Sequence, residues 1–284
     1  MLQIVGYCRL LKLPVLFRGE SNLVSTSQYL FKTIFIRFFL KQCSALLSIG
    51  TDNEEYYLHH GVPKKKIFSV PYAVDNKHFQ KKPLQPNVIT HKKTEGKTII
   101  LYASKFIDRK HPILLIEAFN GLPNDLQRQA ELWFIGNGKL KDNMQKKIRQ
   151  YQLTESVKML GFKNQSELPW YFSQSDVFVL PSEKEPFGLI INEVMNQAKA
   201  IITTNEVGAA HDLVDSDNGW VIEAGSKKAL IQALTQALTS PNQLKEKGER
   251  SLQKISSWGY QEDIDGIRKA LNFVRKNIDH NDNT

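Results

Sequence analysis

The strongest constraint in this chain is a repeated alternation of short apolar runs with helical patterns. In the second half, Thr98–Tyr102, Glu131–Ile135, Val157–Leu160, Asp176–Leu180, Ala200–Thr203 and Trp220–Ile222 read as strands. Helical patterns over 112–120, 140–152, 188–198 and 208–214 lie between them, and two more over 226–239 and 260–276 follow. Strands that alternate with helices argue for a parallel sheet covered on both faces. Ligands of open sheets of this type bind beyond the carboxyl ends of the strands. That rule gathers Ser104, Gly136, Phe162 and the stretch Ser182–Glu185 around one crevice.

The first 80 residues show the same alternation. Helical patterns over 1–11, 26–42 and 52–60 are interleaved with strand signals at 13–17, 45–49 and 67–70. The third helix stops at Gly61, with Pro63 just beyond. Residues 80–96, rich in Lys, Pro, Gln, Asn and Thr, read as a linker. The 284 residues therefore suit two α/β domains, or one and a half.

Charge narrows the partners. The 38 Lys+Arg exceed the 29 Asp+Glu, a net +9 that favours anions: phosphates, nucleic acid or an acidic membrane face. No helix-turn-helix, finger or aromatic ribonucleoprotein signature accompanies it, so nucleic acid is not expected. Cys8 and Cys43 have neither disulfide-framework nor metal-type spacing, and Cys43 sits in an apolar context as a core residue would; a reducing cytoplasm fits best. No signal peptide is visible at the start. Lys32, Arg37 and Lys41 interrupt the most apolar segment, 29–49, too often for a membrane span. The helix at 26–42 nevertheless carries a broad apolar stripe of Leu30, Phe31, Ile34, Phe35, Phe38 and Phe39. Such a stripe can lie in a lipid interface beside its cations. A helix packed on a sheet needs the same stripe, and core packing is its commoner use.

The chemically richest stretch is Pro181-Ser-Glu-Lys-Glu185-Pro-Phe-Gly-Leu189-Ile-Ile-Asn-Glu193. It reads as a strand end, a polar turn and a helix beginning near Gly188, whose first amides, at Phe187, Gly188 and Leu189, favour an anion or a sugar hydroxyl. If that span is mostly helical, Glu185 and Glu193 lie on the order of 10 Å apart. A retaining hydrolase needs its two carboxylates at roughly 5 Å. The spacing suits two hydroxyl-bearing ends of one elongated ligand instead. On periodicity alone, a helix cap at Glu185 and a solvated Glu193 is the better reading.

This segment resembles the Glu-x7-Glu signature of family-4 glycosyltransferases, which have the GT-B fold. Its surroundings resemble the family in order and spacing. They include Gly61-Val-Pro…Pro71-Tyr-Ala-Val-Asp75 with Phe79, Ser104-Lys105…Arg109-Lys110, Phe134-Ile-Gly136-Asn-Gly138, Leu160-Gly161-Phe162 and Asp176-Val-Phe-Val-Leu-Pro-Ser182. The resemblance implies an α/β chain of two Rossmann-like domains, the first truncated and the second complete. It divides into a partial acceptor-side domain over 1–80, a linker over 81–96, a donor-binding domain over 97–250, and a C-terminal helix over 251–284 that packs back toward the first domain. Lys105 and Lys110 match the basic residues that hold the donor diphosphate. Glu193 matches the carboxylate on the ribose hydroxyls, and Glu185 the one near the transferred sugar. The 187–189 amides match those facing sugar and phosphate, Gly136 a strand-end glycine, and Phe162 the position that holds the base through its backbone. As a side chain, Phe162 suits the core equally well.

The implied function is retaining transfer of a sugar from a nucleoside-diphosphate sugar to a hydroxyl on a saccharide or lipid-linked acceptor. The setting would be cell-surface polysaccharide synthesis in the cytoplasm, at the inner face of the membrane if the helix at 26–42 makes peripheral contact. No metal or other cofactor is expected. Asp215-Ser-Asp217, which looks like a metal-binding Asp-x-Asp, runs directly into Asn218-Gly219 and is better explained as a turn. Three departures stand out. The family's opening strand and glycine-rich loop have no counterpart, Asn22 stands where relatives often have a histidine facing the sugar, and Ala198-Lys-Ala200 replaces Gly-x-Pro. They leave open a truncated or degenerate relative that binds nucleotide sugar, or a partner, without turnover.

Overall fold

The computed structural model describes residues 2–24, 30–81 and 93–282; the core of the linker expected at 81–96 lies outside these residues, as does the start of the helix expected at 26–42. In chain order the elements begin with α1 (Leu2–Leu10), β1 (Leu16–Arg18), α2 (Leu30–Lys41), β2 (Ala45–Ser48), α3 (Thr51–His59), β3 (Ile67–Ser69) and α4 (Asn76–Gln80). They continue with β4 (Thr98–Ala103), α5 (Pro112–Asn120), α6 (Asn124–Arg128), β5 (Ala130–Ile135), α7 (Lys141–Gln150), β6 (Val157–Gly161), α8 (Leu168–Gln174) and β7 (Val177–Leu180). The last are α9 (Ile190–Met195), β8 (Ala200–Thr204), α10 (Gly208–Leu213), β9 (Gly219–Ile222), α11 (Lys227–Thr239), α12 (Pro241–Ile255) and α13 (Tyr260–Asp282).

Two compact units result. One comprises residues 1–74 with 258–284, the other 75–257. The second unit is a six-stranded parallel sheet in the order β6-β5-β4-β7-β8-β9. Strands β5 and β7 are buried along their whole length, which is why VFVL reads as an uninterrupted apolar run and AELWFI as one broken only by the buried Glu131. The core on one side joins Leu115, Phe119, Leu132, Val179 and Leu234 from strands and from α5 and α11.

Residues 75–80, assigned to the first domain by the sequence, belong to this second unit. Phe79 is buried, Asn76 Nδ2 donates to the Ile255 carbonyl at 2.9 Å, and Gln80 Nε2 donates to Asn196 Oδ1 at 2.8 Å. Residues 251–255 likewise end α12 within the second unit, while α13 belongs to the first. Helix α12 has no counterpart in the sequence reading. Its sequence carries Pro241 and Gly248 and only three large apolar residues, Leu244, Leu252 and Ile255. Gly248 has a packing reason: a Cβ there would stand 2.0 Å from the Ala198 carbonyl oxygen. Ala198 itself takes the left-handed φ of 53°, a conformation that a glycine would adopt at lower cost.

The first unit is a three-stranded parallel sheet, β1-β2-β3, with β1 at its edge. On one face Val5, Phe39, Leu40, Leu46 and Tyr57 close a core that includes Cys43; on the other, Leu47 and Val70 pack against Ala270 and Val274 of α13. Burial drives the Cys43 thiol up to about 11, as a core residue requires, with Lys66 opposing weakly. Gly266 lets α13 lie directly on β3, since a Cβ there would meet the Ser69 carbonyl oxygen at 1.9 Å.

The apolar stripe of α2 divides. Phe39 is buried, as core packing requires, but Phe31 is 87% exposed, and Ile34, Phe35 and Phe38 are exposed with it. Ile4, Tyr7 and Leu10 on α1 are exposed too. Among the described residues no helix is long and apolar enough to cross a membrane.

Candidate functional site

The strand order brings the two chemically richest loops together. β4 and β7 are neighbours, yet the chain leaves β4 toward β5 on one side and β7 toward β8 on the other. No connection covers the gap between their carboxyl ends, which is where sheets of this type hold ligands. The loop after β4 carries Lys105, Arg109 and Lys110, and the loop after β7 carries Glu185 and the turn 187–189.

Lys110 and Glu185 meet across this gap. Lys110 is only 8% exposed, and its ammonium contacts Glu185 Oε2. Arg109 Nη1 reaches the same oxygen at 3.0 Å. Burial holds the Lys110 ammonium below the usual lysine range; Glu185 opposes this, and Arg109 and Lys105 add to it. The backbone ties the loops as well: the Glu183 N–H donates to the Arg109 carbonyl at 2.8 Å. The far side of the turn is fixed by the Glu185 N–H donating to the Glu206 carbonyl at 3.0 Å and the Gly208 N–H donating to the Glu185 carbonyl at 3.1 Å.

Beside the pair opens a cavity of about 650 Å³ lined by Lys105, Gly136, Asn137, Phe162, Lys163 and Ile190. Its floor is backbone. Gly136 has φ 138°, and a Cβ there would lie 2.0 Å from the Ser104 carbonyl oxygen, so only glycine lets these two strand ends approach. Phe162 is no core residue: its ring is 72% exposed at the mouth, because Gly161 before it turns the chain outward at φ 74°. Helix α9 begins at Ile190, not near Gly188; Gly188 at φ 94° cannot be helical. The amides of 187–189 therefore belong to the turn that precedes the helix, and the Phe187 ring is buried beneath it. Glu193 lies one turn beyond Ile190, and burial raises its carboxyl to about 7.

The structure thus groups Lys105, Lys110, Gly136, Phe162, Glu185, the 187–189 turn and Glu193 at the carboxyl end of one sheet. Asn22 lies in the other unit, in the loop after β1, where it is buried. That loop is held by the Tyr57 hydroxyl, which accepts from the Gly19 N–H at 3.0 Å, and by Asn53 Nδ2, which donates to the Ser21 carbonyl at 2.7 Å. Arg109 was visible in the sequence only as part of a basic loop. Its partner Glu185 is 76 positions away, and no local spacing signals such a pair. Asp215 and Asp217 form a turn: the Asp217 N–H donates to Asp215 Oδ1 at 3.0 Å, and the Asp215 N–H donates to Asn218 Oδ1 at 2.8 Å. A hydrogen bond from Lys254 holds the Asp215 carboxyl low.

Residues 87–254 match the family model described as glycosyl transferases group 1. A lipopolysaccharide core biosynthesis glycosyltransferase, LpsE of Rhizobium meliloti, is 26% identical over 54% of this chain and 44% of its own length. An N-acetyl-alpha-D-glucosaminyl L-malate synthase of Bacillus anthracis is 23% identical over 78% of this chain and 57% of its own. The chain spans about half the length of the curated relatives it matches. Among solved structures, Anabaena HepE in complex with UDP superposes with a TM-score of 0.77 at 15% identity, over 94% of this chain and 74% of that one. Sucrose-phosphate synthase from Thermosynechococcus elongatus gives 0.72 at 20% identity, over 98% and 71%.

Proposed function

Because the chain belongs to the group 1 glycosyl transferases and has a GT-B fold of Rossmann-like units, we propose that it moves a hexosyl group from a nucleoside-diphosphate sugar to a hydroxyl acceptor with retention. The acceptor is a saccharide or a lipid-linked saccharide of the cell surface, and the work is done in the cytoplasm. The carrying observation is the meeting of Lys110, Arg109 and Glu185 at the β4–β7 gap, beside a cavity with Lys105 on its wall. Charge develops on the leaving diphosphate as the glycosidic bond breaks. Fixed cations in a partly dry crevice stabilise it without reorganisation. Glu193 accepts from the ribose hydroxyls, and Glu185 faces the sugar. An oxygen of the diphosphate serves as the base, so no protein nucleophile is needed. No metal is required, because the lysines supply the positive charge.

Calorimetry with UDP and GDP in chelator tests this reading. Binding of at least one is expected, and binding of neither rejects the site. Binding without sugar transfer to any hydroxyl acceptor would favour a relative that holds the donor and does not turn it over. Glu193→Ala should cost about 1.5–3 kcal/mol of nucleotide affinity, the worth of hydrogen bonds to a charged acceptor.

The raised carboxyl adds a pH signature. The ionised form is the better acceptor, so nucleotide binding should release a proton near pH 7 and tighten as pH rises through about 7. Glu193→Gln should remove the part of this dependence that does not belong to the nucleotide's own phosphates; an unchanged profile argues against the ribose role. The sign for stability is the opposite. A carboxyl raised from 4.5 to about 7 in the folded state leaves stability untouched at low pH and lowers it progressively between those values.

The exposed face of α2 supports a peripheral contact with an anionic membrane. Phe31, Ile34, Phe35 and Phe38 are exposed, and so are Lys32, Arg37 and Lys41 around them. Flotation with anionic vesicles should carry the wild type up, and the triple variant Lys32→Glu, Arg37→Glu, Lys41→Glu should stay behind. A wild type that floats with no vesicles ends the membrane reading.

A further inference from the structure

A second concave site lies at the opposite, amino end of the six-stranded sheet, and none of its lining residues lines the first cavity. A cavity of about 400 Å³ is lined by Lys93, Lys97, Lys199 and Lys245, with Asp176 as the carboxylate among its lining residues. The lysines reach it from unrelated positions: two precede β4, one precedes β8, and one is the fifth residue of α12. Asp176 is already engaged. It forms an ion pair with Lys93 at 2.6 Å and accepts the Ile99 N–H at 2.7 Å. Among the described residues, no carboxylate lies at ion-pair distance from Lys97, Lys199 or Lys245.

Lys199 is the informative member. It is half-buried, and its ammonium donates to the Ser173 carbonyl at 3.0 Å, a neutral acceptor. Burial lowers its pKa to about 8, with Asp176 opposing and Lys93 adding to the fall. An amine desolvated beside other ammoniums is unfavourable unless an anion compensates it. The positive end of α12, a helix of 15 residues, opens on the same cavity through Pro241 and Leu244 and adds to the field.

We propose that this cavity binds a small phosphate-bearing anion, separate from the crevice at the carboxyl end of the sheet. The volume admits a group of the size of pyrophosphate or a hexose monophosphate, and three ammoniums match the charge of such a group. The anion would bridge the loop before β8 to the start of α12.

Lysine-selective acylation read by peptide mass spectrometry locates the site without reference to any other. At pH 8 Lys199 should be labelled in the free protein. Millimolar inorganic phosphate, pyrophosphate or hexose monophosphate should slow that labelling several-fold, while chloride at equal ionic strength should not. Protection by only one of the three supports the site and fixes its ligand size. Lys245→Glu, at an exposed position, should abolish protection at Lys199 with the melting temperature unchanged. Labelling that none of the three anions slows, or that chloride slows equally, overturns the proposal. So does protection that survives in a folded Lys245→Glu protein.

Discussion

Glu185→Ala is expected to lower the unfolding free energy by about 3 kcal/mol, near the lower end for breaking a buried ion pair. The cost arises in what is left behind. Lys110 is 8% exposed, and Glu185 is the carboxylate at its ammonium. With that carboxylate gone, the two influences that raise the Lys110 pKa vanish and burial drives it lower still. Loss of its proton then limits the penalty. The double variant Glu185→Ala with Lys110→Met should recover most of the loss, because no buried charge remains to be compensated. Chemical denaturation at neutral pH measures both. An unchanged midpoint in Glu185→Ala would mean that Lys110 reaches water in the crevice and that the pair contributes nothing. Beyond its expected place near the sugar, Glu185 is through this pairing a positioning residue for Lys110.

Gly136→Ala should abolish nucleotide binding and cost about 3 kcal/mol of stability or more, since the clash involves backbone and cannot be relieved by a rotamer change. The added methyl would stand 2.0 Å from the Ser104 carbonyl oxygen. Relief requires the end of β4 to move, and with it the loop that carries Lys105 and Lys110. Gly161→Ala is the control. Its φ of 74° is equally left-handed, but an added Cβ there meets nothing within 4 Å. It should cost only about 1 kcal/mol, the conformational term alone, and leave binding intact. Thermal unfolding and calorimetry with UDP separate the two. Normal affinity in Gly136→Ala would show that the approach of these strand ends is irrelevant to the crevice.

Much of the fold could be read in the sequence, for a physical reason. A parallel strand covered on both faces is apolar at nearly every position, so Val177–Leu180 announces itself whatever surrounds it, as does Leu132–Ile135 within β5. Helix α12 is harder to read, because most of its residues are polar and a glycine at position 248, which a helix interior disfavours, is kept there by the close approach to Ala198. The stripe on α2 was ambiguous for a different reason. Periodicity reports a face, not what covers it, and Phe39 and Phe31 obey the same period with opposite fates. In the site, the residue types and their strand ends were legible. The adjacency of β4 and β7 was not, and with it went the pairing of Lys110 with Glu185 across 75 positions. Nor was the place where α9 starts, which depends on the backbone angle at Gly188.

The first unit is sewn together from two distant stretches, 1–74 and 258–284, with the whole second unit inserted between them. A ribosome releases such a chain in order. While 75–257 emerges, Leu47 and Val70 lack their partners on α13, since Ala270 and Val274 are not yet made. The second unit can close on its own contacts during that interval, whereas one face of the first sheet stays open to water or to a chaperone. Assembly of the two units is thereby given a sequence in time: the unit with the crevice matures first, and the arrival of α13 seals the other.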